Sequence, residues 1–312
     1  MYDIIGDIHG HARPLNALLQ TLGYISQDGV YAHPEDRQVI FLGDFIDRGP
    51  HILETLVIAK SMVDAGTALV VMGNHEFNAL AYHTKHPTED RYLRAHSEKN
   101  QKQHQATLDA LDDSQLTYYL SWFATLPTYL DLGNLRIVHA CWDPVQLAHI
   151  TRIFANHDGF DTDLLTAASN PNDPLFHAIE TVLKGPEAQL PPGYSYQDKE
   201  GNVRQRIRIK WYEAFDGQTI AQYMMPPKTP PDPELEIPLE LPAHANRQGY
   251  PATDPPVFVG HYWMPSKSPA PLAPNVTCVD YSIAKDGLLV AYRFNGESTL
   301  DVSNYLAVPA QD

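Results

Sequence analysis

The first 140 residues alternate short apolar runs with longer stretches of helical spacing. Tyr2–Ile5 is an apolar run ending at Gly6-Asp7. Pro14 then stands where a first helical turn begins; Leu15, Leu18, Leu19 and Leu22 follow at helical spacing, and Gly23 closes the segment. Residues 38–42 form a second run, ending at Gly43-Asp44. Residues 51–65 read as a helix with Ile52, Leu56, Ala59 and Val63 on one face. Further runs at 68–72, 135–138 and 257–259 end at Gly73-Asn74, His139 and Gly260-His261. This is an α/β pattern, and a polar phrase follows the carboxyl end of each strand. Sites in α/β sheets are built at that edge, because loops converge there while the strands hold them rigid.

Two insertions break the rhythm. Residues 84–119 are polar, rich in His, Lys, Gln and Glu, and helix-forming; a solvated helical layer is expected. Residues 143–256 hold a helix near 175–184, a hairpin-like stretch at 194–212 and a proline-rich tract at 226–256. That tract is excluded from regular helix or central strand, because proline lacks the donor and fixes φ. It is either a meandering ordered loop or a flap. With no internal repeat and no clear linker, residues 1–312 are expected to form one domain carrying a cap-like insertion.

The phrases carry the chemistry. GDIHG at 6–10, GDFIDRG at 43–49 and GNHE at 73–76 fall in order, followed by His139 and His261. Asp7 and His9 lie two apart in a turn, so both can face one cation. Asp44 can place a carboxylate oxygen between two cations. Asn74 offers a carbonyl oxygen, and His139 and His261 offer imidazole nitrogens. This mixed oxygen and nitrogen set suits manganese, iron or zinc better than magnesium or calcium. Two divalent cations sharing a carboxylate are a device for hydrolysing phosphate esters. Arg48 can clamp phosphate oxygens as a fork. His75 is free for proton work, with Asp47 as the carboxylate that orients it.

Net charge and cysteine content narrow the setting. A formal charge of −16 argues against a general nucleic-acid surface, which gains affinity through Lys and Arg. Two cysteines, Cys141 and Cys278, are too few for a disulfide framework. No stretch is long and apolar enough to span a bilayer, and the N-terminus shows no leader pattern, so a cytoplasmic protein is expected.

On GDIHG, GDFIDRG and GNHE, the chain resembles the phosphoprotein phosphatase family of calcineurin-like metallophosphoesterases. The resemblance extends over residues 1–80, 118–143 and 257–295. It implies a four-layer αββα sandwich of two mixed sheets with helices outside. It implies two divalent metal ions, manganese foremost and iron, zinc or nickel as alternatives, one held by Asp7, His9 and Asp44 and a second by Asp44, Asn74, His139 and His261. A metal-bridging hydroxide would attack phosphorus in line, Arg48 would hold phosphoryl oxygens, and His75, assisted by Asp47, would protonate the leaving group. Ala140-Cys141-Trp142 stands where the eukaryotic members carry a glycine pair, which places the chain nearer the bacterial branch with its diadenosine tetraphosphatases. A second phosphate-binding arginine is not placed by motif. The alternating Arg204, Arg206, Arg208 and Lys210 either line the cleft or form a solvated basic strand. The expected activity is hydrolysis of a phosphomonoester, on a phosphoprotein or a small molecule. The alternatives are a dinucleoside polyphosphate hydrolase, for which Trp142, Trp211, Tyr262 or Trp263 would supply a base shelf, and a non-catalytic metal-binding scaffold.

Overall fold

The computed structural model describes residues 1–197, 203–227, 235–241 and 246–310. The first apolar run is β1 (Tyr2–Ile5). It feeds α1 (Ala12–Leu22), which buries Leu15, Leu18, Leu19 and Leu22. At Gly23 the backbone turns to a φ of 95°, and its N–H bonds the carbonyls of Gln20 and Leu19, a left-handed helix stop. A hairpin of β2 (Ile25–Gln27) and β3 (Val30–Ala32) leads to β4 (Gln38–Phe41), α2 (Ile52–Asp64), β5 (Ala68–Val70) and α3 (Asn74–His83). β1, β4 and β5 run parallel, as helical crossovers require.

The polar insertion folds into α4 (Glu98–Ala110) and α5 (Asp113–Ala124). The Ser97 and Asp112 side chains cap them, accepting the N–H of Asn100 and Gln115. The expected solvated layer needs correction: His104 and Thr107 on α4 are buried, because they face Asp47. After β6 (Tyr129–Asp131) and β7 (Arg136–Val138) come α6 (Pro144–Phe154), α7 (Thr162–Ala168) and α8 (Pro174–Lys184). Asp143, Asp161 and Asp173 cap these three helices.

The hairpin expected at 194–212 is only partly present. β9 (Tyr196–Gln197) pairs with β10 (Val203–Arg204), but β11 (Arg206–Arg208) pairs with β8 (Glu187–Gln189). Alternation explains the choice. Ile207 and Ile209 turn inward with Ala188 and Leu190 onto α9 (Ile220–Tyr223), and Leu235 and Leu239 complete a second, smaller core. Much of the proline-rich tract lies outside the described residues. Its described parts form no α-helix and touch a strand pattern only at an isolated bridge between Thr219 and Pro238.

β12 (Val257–Val259), β13 (Val276–Cys278), β14 (Asp280–Tyr281), β15 (Leu288–Phe294) and β16 (Tyr305–Pro309) close the structure. One mixed sheet runs β14-β15-β1-β4-β5, with β16 also on β15; the other runs β13-β12-β7-β6. They pack face to face. The Phe258 ring lies 5.2 Å from Tyr292 and 5.8 Å from Phe294, and all three are buried. α1 packs on β15 and β16, and α2 on β5, outside the first sheet. The result is the α/β sandwich that the apolar pattern and the resemblance imply.

Candidate metal centre

The loops after β1, β4, β5, β7 and β12 meet at one end of the sandwich, and their backbone is strained. His9, Asp44, Asp47, Arg48, His261 and Trp263 have φ values of 47°, 51°, 67°, 71°, 68° and 51°. Such conformations cost non-glycine residues roughly 1–3 kcal/mol each and persist only where the surroundings dictate them. Here they do. The N–H groups of Ile8 and His9 donate to the Asp44 carbonyl at 3.1 and 2.8 Å, and that of Gly49 to the His9 carbonyl at 2.8 Å. Glu76, fully buried, accepts the N–H groups of Asp44 and Phe45 at 2.8 Å and of Gly73 at 3.0 Å. Side chains are excluded where the loops touch: a Cβ on Gly43 would lie 2.2 Å from Gly73 N, and one on Gly260 would lie 2.1 Å from Asp7 Oδ1.

Two groups of donor atoms result, each within 4.8 Å of one another: His9, Asp44 and His75, and Asp44, His139 and His261. Asp44 belongs to both. Its Oδ2 lies 3.7 Å from His9 Nε2, 3.9 Å from His75 Nε2 and 3.5 Å from His139 Nε2. Asn74 Oδ1 joins the second group, 3.2 Å from His139 Nε2 and 2.6 Å from His261 Nδ1. The imidazoles are aimed from behind. His9 Nδ1–H donates to the Ile46 carbonyl at 2.9 Å and His139 Nδ1–H to the Leu42 carbonyl at 2.6 Å, so each ring turns its Nε2 toward Asp44. Asp7 stands beside the groups, its Oδ2 accepting the His261 N–H at 3.0 Å. Asp7 Oδ1 and His9 Nε2 are buried with no hydrogen-bond partner among the described residues.

Electrostatics fit cations. Burial, then Asp280 and Asp44, pushes the Asp7 carboxyl well up. Burial, then Asp44, pushes Glu76 up to about 7. Burial and the neighbouring His75 hold His9 down to about 3, leaving it a neutral ligand. Burial alone would raise Asp44, but the imidazoles of His139, His75 and His9 outweigh it and hold the carboxylate well below its usual range. Buried carboxylates, the imidazoles of His9 and His261 held neutral by burial, and orphaned acceptors together make a donor set that divalent cations would satisfy.

His75 is held differently. Its Nδ1–H donates to Asp47 Oδ2 at 2.5 Å, which turns Nε2 toward Asp44. It thus sits in the first donor group, where the resemblance implied Asp7. Arg48 lies with its guanidinium carbon 4.2 Å above the Trp263 ring. The basic alternation divides: Arg206 is exposed and bonds Gln189, Lys210 pairs with Glu213 at 3.3 Å, and Arg204 is exposed on β10. Arg208 is half-buried, donates through Nε to the Lys184 carbonyl at 2.9 Å, and stands near enough that its charge, after burial, helps hold His261 down. Of the aromatic shelf candidates, Trp142, Trp211 and Tyr262 are buried in the main core, and Trp263 alone is part-exposed.

Several structural partners carry no ligand motif. Asp280 receives the N–H of Trp263 at 2.7 Å and of Ser282 at 2.9 Å. Glu76 had a legible signal, since it stands three residues after Gly73 at capping-box spacing. His104 and Thr107 had none, because their partner Asp47 lies about sixty residues away.

Comparison with known proteins agrees with this geometry. A bis(5'-nucleosyl)-tetraphosphatase of the asymmetrical type, PrpE, from Bacillus subtilis is 33% identical over 148 residues, 45% of this chain and 57% of that protein. One from Halalkalibacterium halodurans is 47% identical over 74 residues, 24% of this chain and 30% of that protein. The chain thus spans about half or less of the length of these curated relatives. A solved serine/threonine phosphatase from Saccharomyces cerevisiae, with similarity to human phosphatase PP5, shares the fold at a TM-score of 0.50 and 14% identity, over 99% of this chain and 78% of that one. The calcineurin-like phosphoesterase family profile matches residues 2–183, more than half the chain and all of the first four ligand loops, so the protein belongs to the calcineurin-like phosphoesterases.

Proposed function

We propose that this phosphoesterase uses two divalent cations to hydrolyse phosphomonoesters, with His75 as the acid. His9, Asp44 and Asp7 would hold one cation, and Asp44, Asn74, His139 and His261 the other. Manganese, iron or zinc suits this donor mixture. Such cations supply Lewis acidity, offsetting phosphoryl charge and lowering the pKa of water. The chain's own groups do the rest. Arg48, over the Trp263 ring at 4.2 Å, would present its fork to phosphoryl oxygens, and Arg208 would add charge near His261. His75 Nε2–H gives its proton to the departing oxygen while Nδ1–H stays on Asp47.

The carrying observation is the His75–Asp47 bond of 2.5 Å beside the shared Asp44 carboxylate. A departing alkoxide or phenoxide needs that proton, whereas a phosphate leaving from an anhydride needs it less. A second reading has support of its own: hydrolysis of a dinucleoside polyphosphate. The PrpE relatives carry that name, and Trp263 has Arg48 at 4.2 Å and Lys285 at 6.0 Å, a stacking surface among cations. The test is side-by-side hydrolysis by the manganese-loaded protein of p-nitrophenyl phosphate, phosphopeptides and diadenosine tetraphosphate. Higher kcat/KM on monoesters supports the first reading. Preference for the dinucleotide replaces it with the second, and no hydrolysis of any of them sinks both.

A further inference from the structure

We propose that His104, carried by the inserted helix α4, is a positioning residue for the His75–Asp47 pair. The inference rests on the acid role given to His75. Its basis is the way Asp47 is surrounded. Asp47 Oδ1 accepts the His104 Nδ1–H at 2.8 Å and the Thr107 hydroxyl at 2.6 Å. The Asp47 N–H donates in turn to Thr107 Oγ1 at 3.0 Å. Oδ2 is left for His75 Nδ1–H. His104 and Thr107 are three residues apart, on one face of α4, and both are buried. An otherwise polar helix turns its buried polar groups onto one carboxylate of the site.

The other side of the His104 ring is held as well. Its Nε2 shares a hydrogen bond with His83 Nε2 at 3.1 Å. His83 is the last residue of α3, whose second residue is His75. The chain of contacts runs His83, His104, Asp47, His75, and begins and ends on the same helix. It is a brace and not a proton wire. The proton that His75 releases leaves from Nε2, while Nδ1 remains protonated, so nothing passes back through Asp47 to His104. What His104 controls is the plane of the carboxylate, and through it the direction in which His75 Nε2 points.

The test compares His104→Ala, which removes the donor, with His104→Asn, whose amide nitrogen stands near the place of Nδ1. Both are measured as full-length, manganese-loaded protein on phenyl phosphate, a poor leaving group, and p-nitrophenyl phosphate, a good one. General-acid catalysis contributes about 10²–10⁴-fold, so displacement of the acid in His104→Ala is expected to lower kcat on phenyl phosphate by roughly 10–100-fold. On p-nitrophenyl phosphate the fall is a few-fold, KM holds on both, and His104→Asn recovers most of the loss. Equal losses on the two esters, or no recovery in His104→Asn, overturn the proposal, since a merely structural fault does not distinguish leaving groups. A second readout needs no turnover. Proton NMR of ¹⁵N-histidine-labelled protein loaded with diamagnetic zinc follows the His75 Nδ1–H, expected far downfield in wild type and His104→Asn and displaced or lost in His104→Ala. An unchanged His75 resonance in His104→Ala overturns the brace. If the wild type hydrolyses neither ester, the functional reading fails while this resonance still decides the positioning.

Discussion

At the scale of single residues, the site divides into groups that hold and groups that aim. Asp44 holds. One carboxylate stands within 4 Å of three imidazoles, and those imidazoles outweigh burial to keep it ionised. Asp44→Asn keeps the shape and removes the charge, so turnover is expected to be abolished and bound metal, read by elemental analysis, to fall. Near-normal activity with full metal content would contradict a shared carboxylate. His75→Asn should instead depress turnover while metal content holds; a loss of metal would make His75 a ligand, as its place beside His9 and Asp44 allows. Glu76 aims, because both its oxygens are committed to three backbone donors. Glu76→Gln leaves one carbonyl oxygen to serve them and adds a buried donor, a cost of about 1–3 kcal/mol that a denaturant midpoint would read. The holders were legible because each follows an apolar run, and all but His139 stand in a glycine-flanked phrase. Of the aimers, Asp47 was read from its place in GDFIDRG, Glu76 offered only a capping spacing, and the rest gave no sign. His104 and Asp280 bond backbone or carboxylates brought near only by folding, and a polar residue in a polar segment gives no sign of which partner it meets.

Elements were legible where a period was clean. α1 and α2 lie within a residue or two of their expected bounds, because apolar spacing and Gly23 or Gly66 mark their ends. The segment around β11 was harder to read, since Ile207 and Ile209 alternate equally well for either partner strand; the choice of β8 depends on a second core assembled from residues up to Leu241. The loops between elements store the strain. Six non-glycine residues at positive φ sit in the strand-end loops of the centre, and buried Asp7 and Glu76 are pushed up by their acidic neighbours. Cations that satisfy these groups bind the folded state alone. Manganese at a hundredfold excess over its dissociation constant should therefore add about 2.7 kcal/mol of stability. Thermal unfolding with and without chelator reads this as a rise of several degrees. A melting temperature indifferent to metal would mean that the loops are held by protein contacts alone.

At the scale of the molecule, the ligand loops depend on strands far beyond the region that matches the family profile. β1 is central only because β15 pairs along it residue for residue, Tyr2 with Phe294 through Ile5 with Ala291. β7 is internal only because β12 lies beside it, and β12 delivers His261. A buried ionic knot ties the same distant parts. Asp3, fully buried, takes Arg37 at 2.9 Å and Arg293 at 3.2 Å, and Arg37 reaches on to Asn295 at 2.8 Å. Arg37→Ala would leave the buried Asp3 with Arg293 as its remaining cation and its other bonds to Arg37 unmade, so it should cost about 1–3 kcal/mol, read as a shift of the denaturant midpoint. The same reasoning bears on a fragment of residues 1–183. It would keep Asp7, His9, Asp44, Asn74 and His139, yet expose both faces of the inter-sheet core that Phe258, Tyr292 and Phe294 fill. Two new sheet edges would also open, at β1 and β7. The fragment is expected to give a broad, low-m urea transition and weak near-ultraviolet circular dichroism, because little cooperative surface remains to be buried. A sharp transition with manganese bound to the fragment would show that the strand-end loops after β1, β4, β5 and β7 organise themselves, and that the closing strands serve only to add His261.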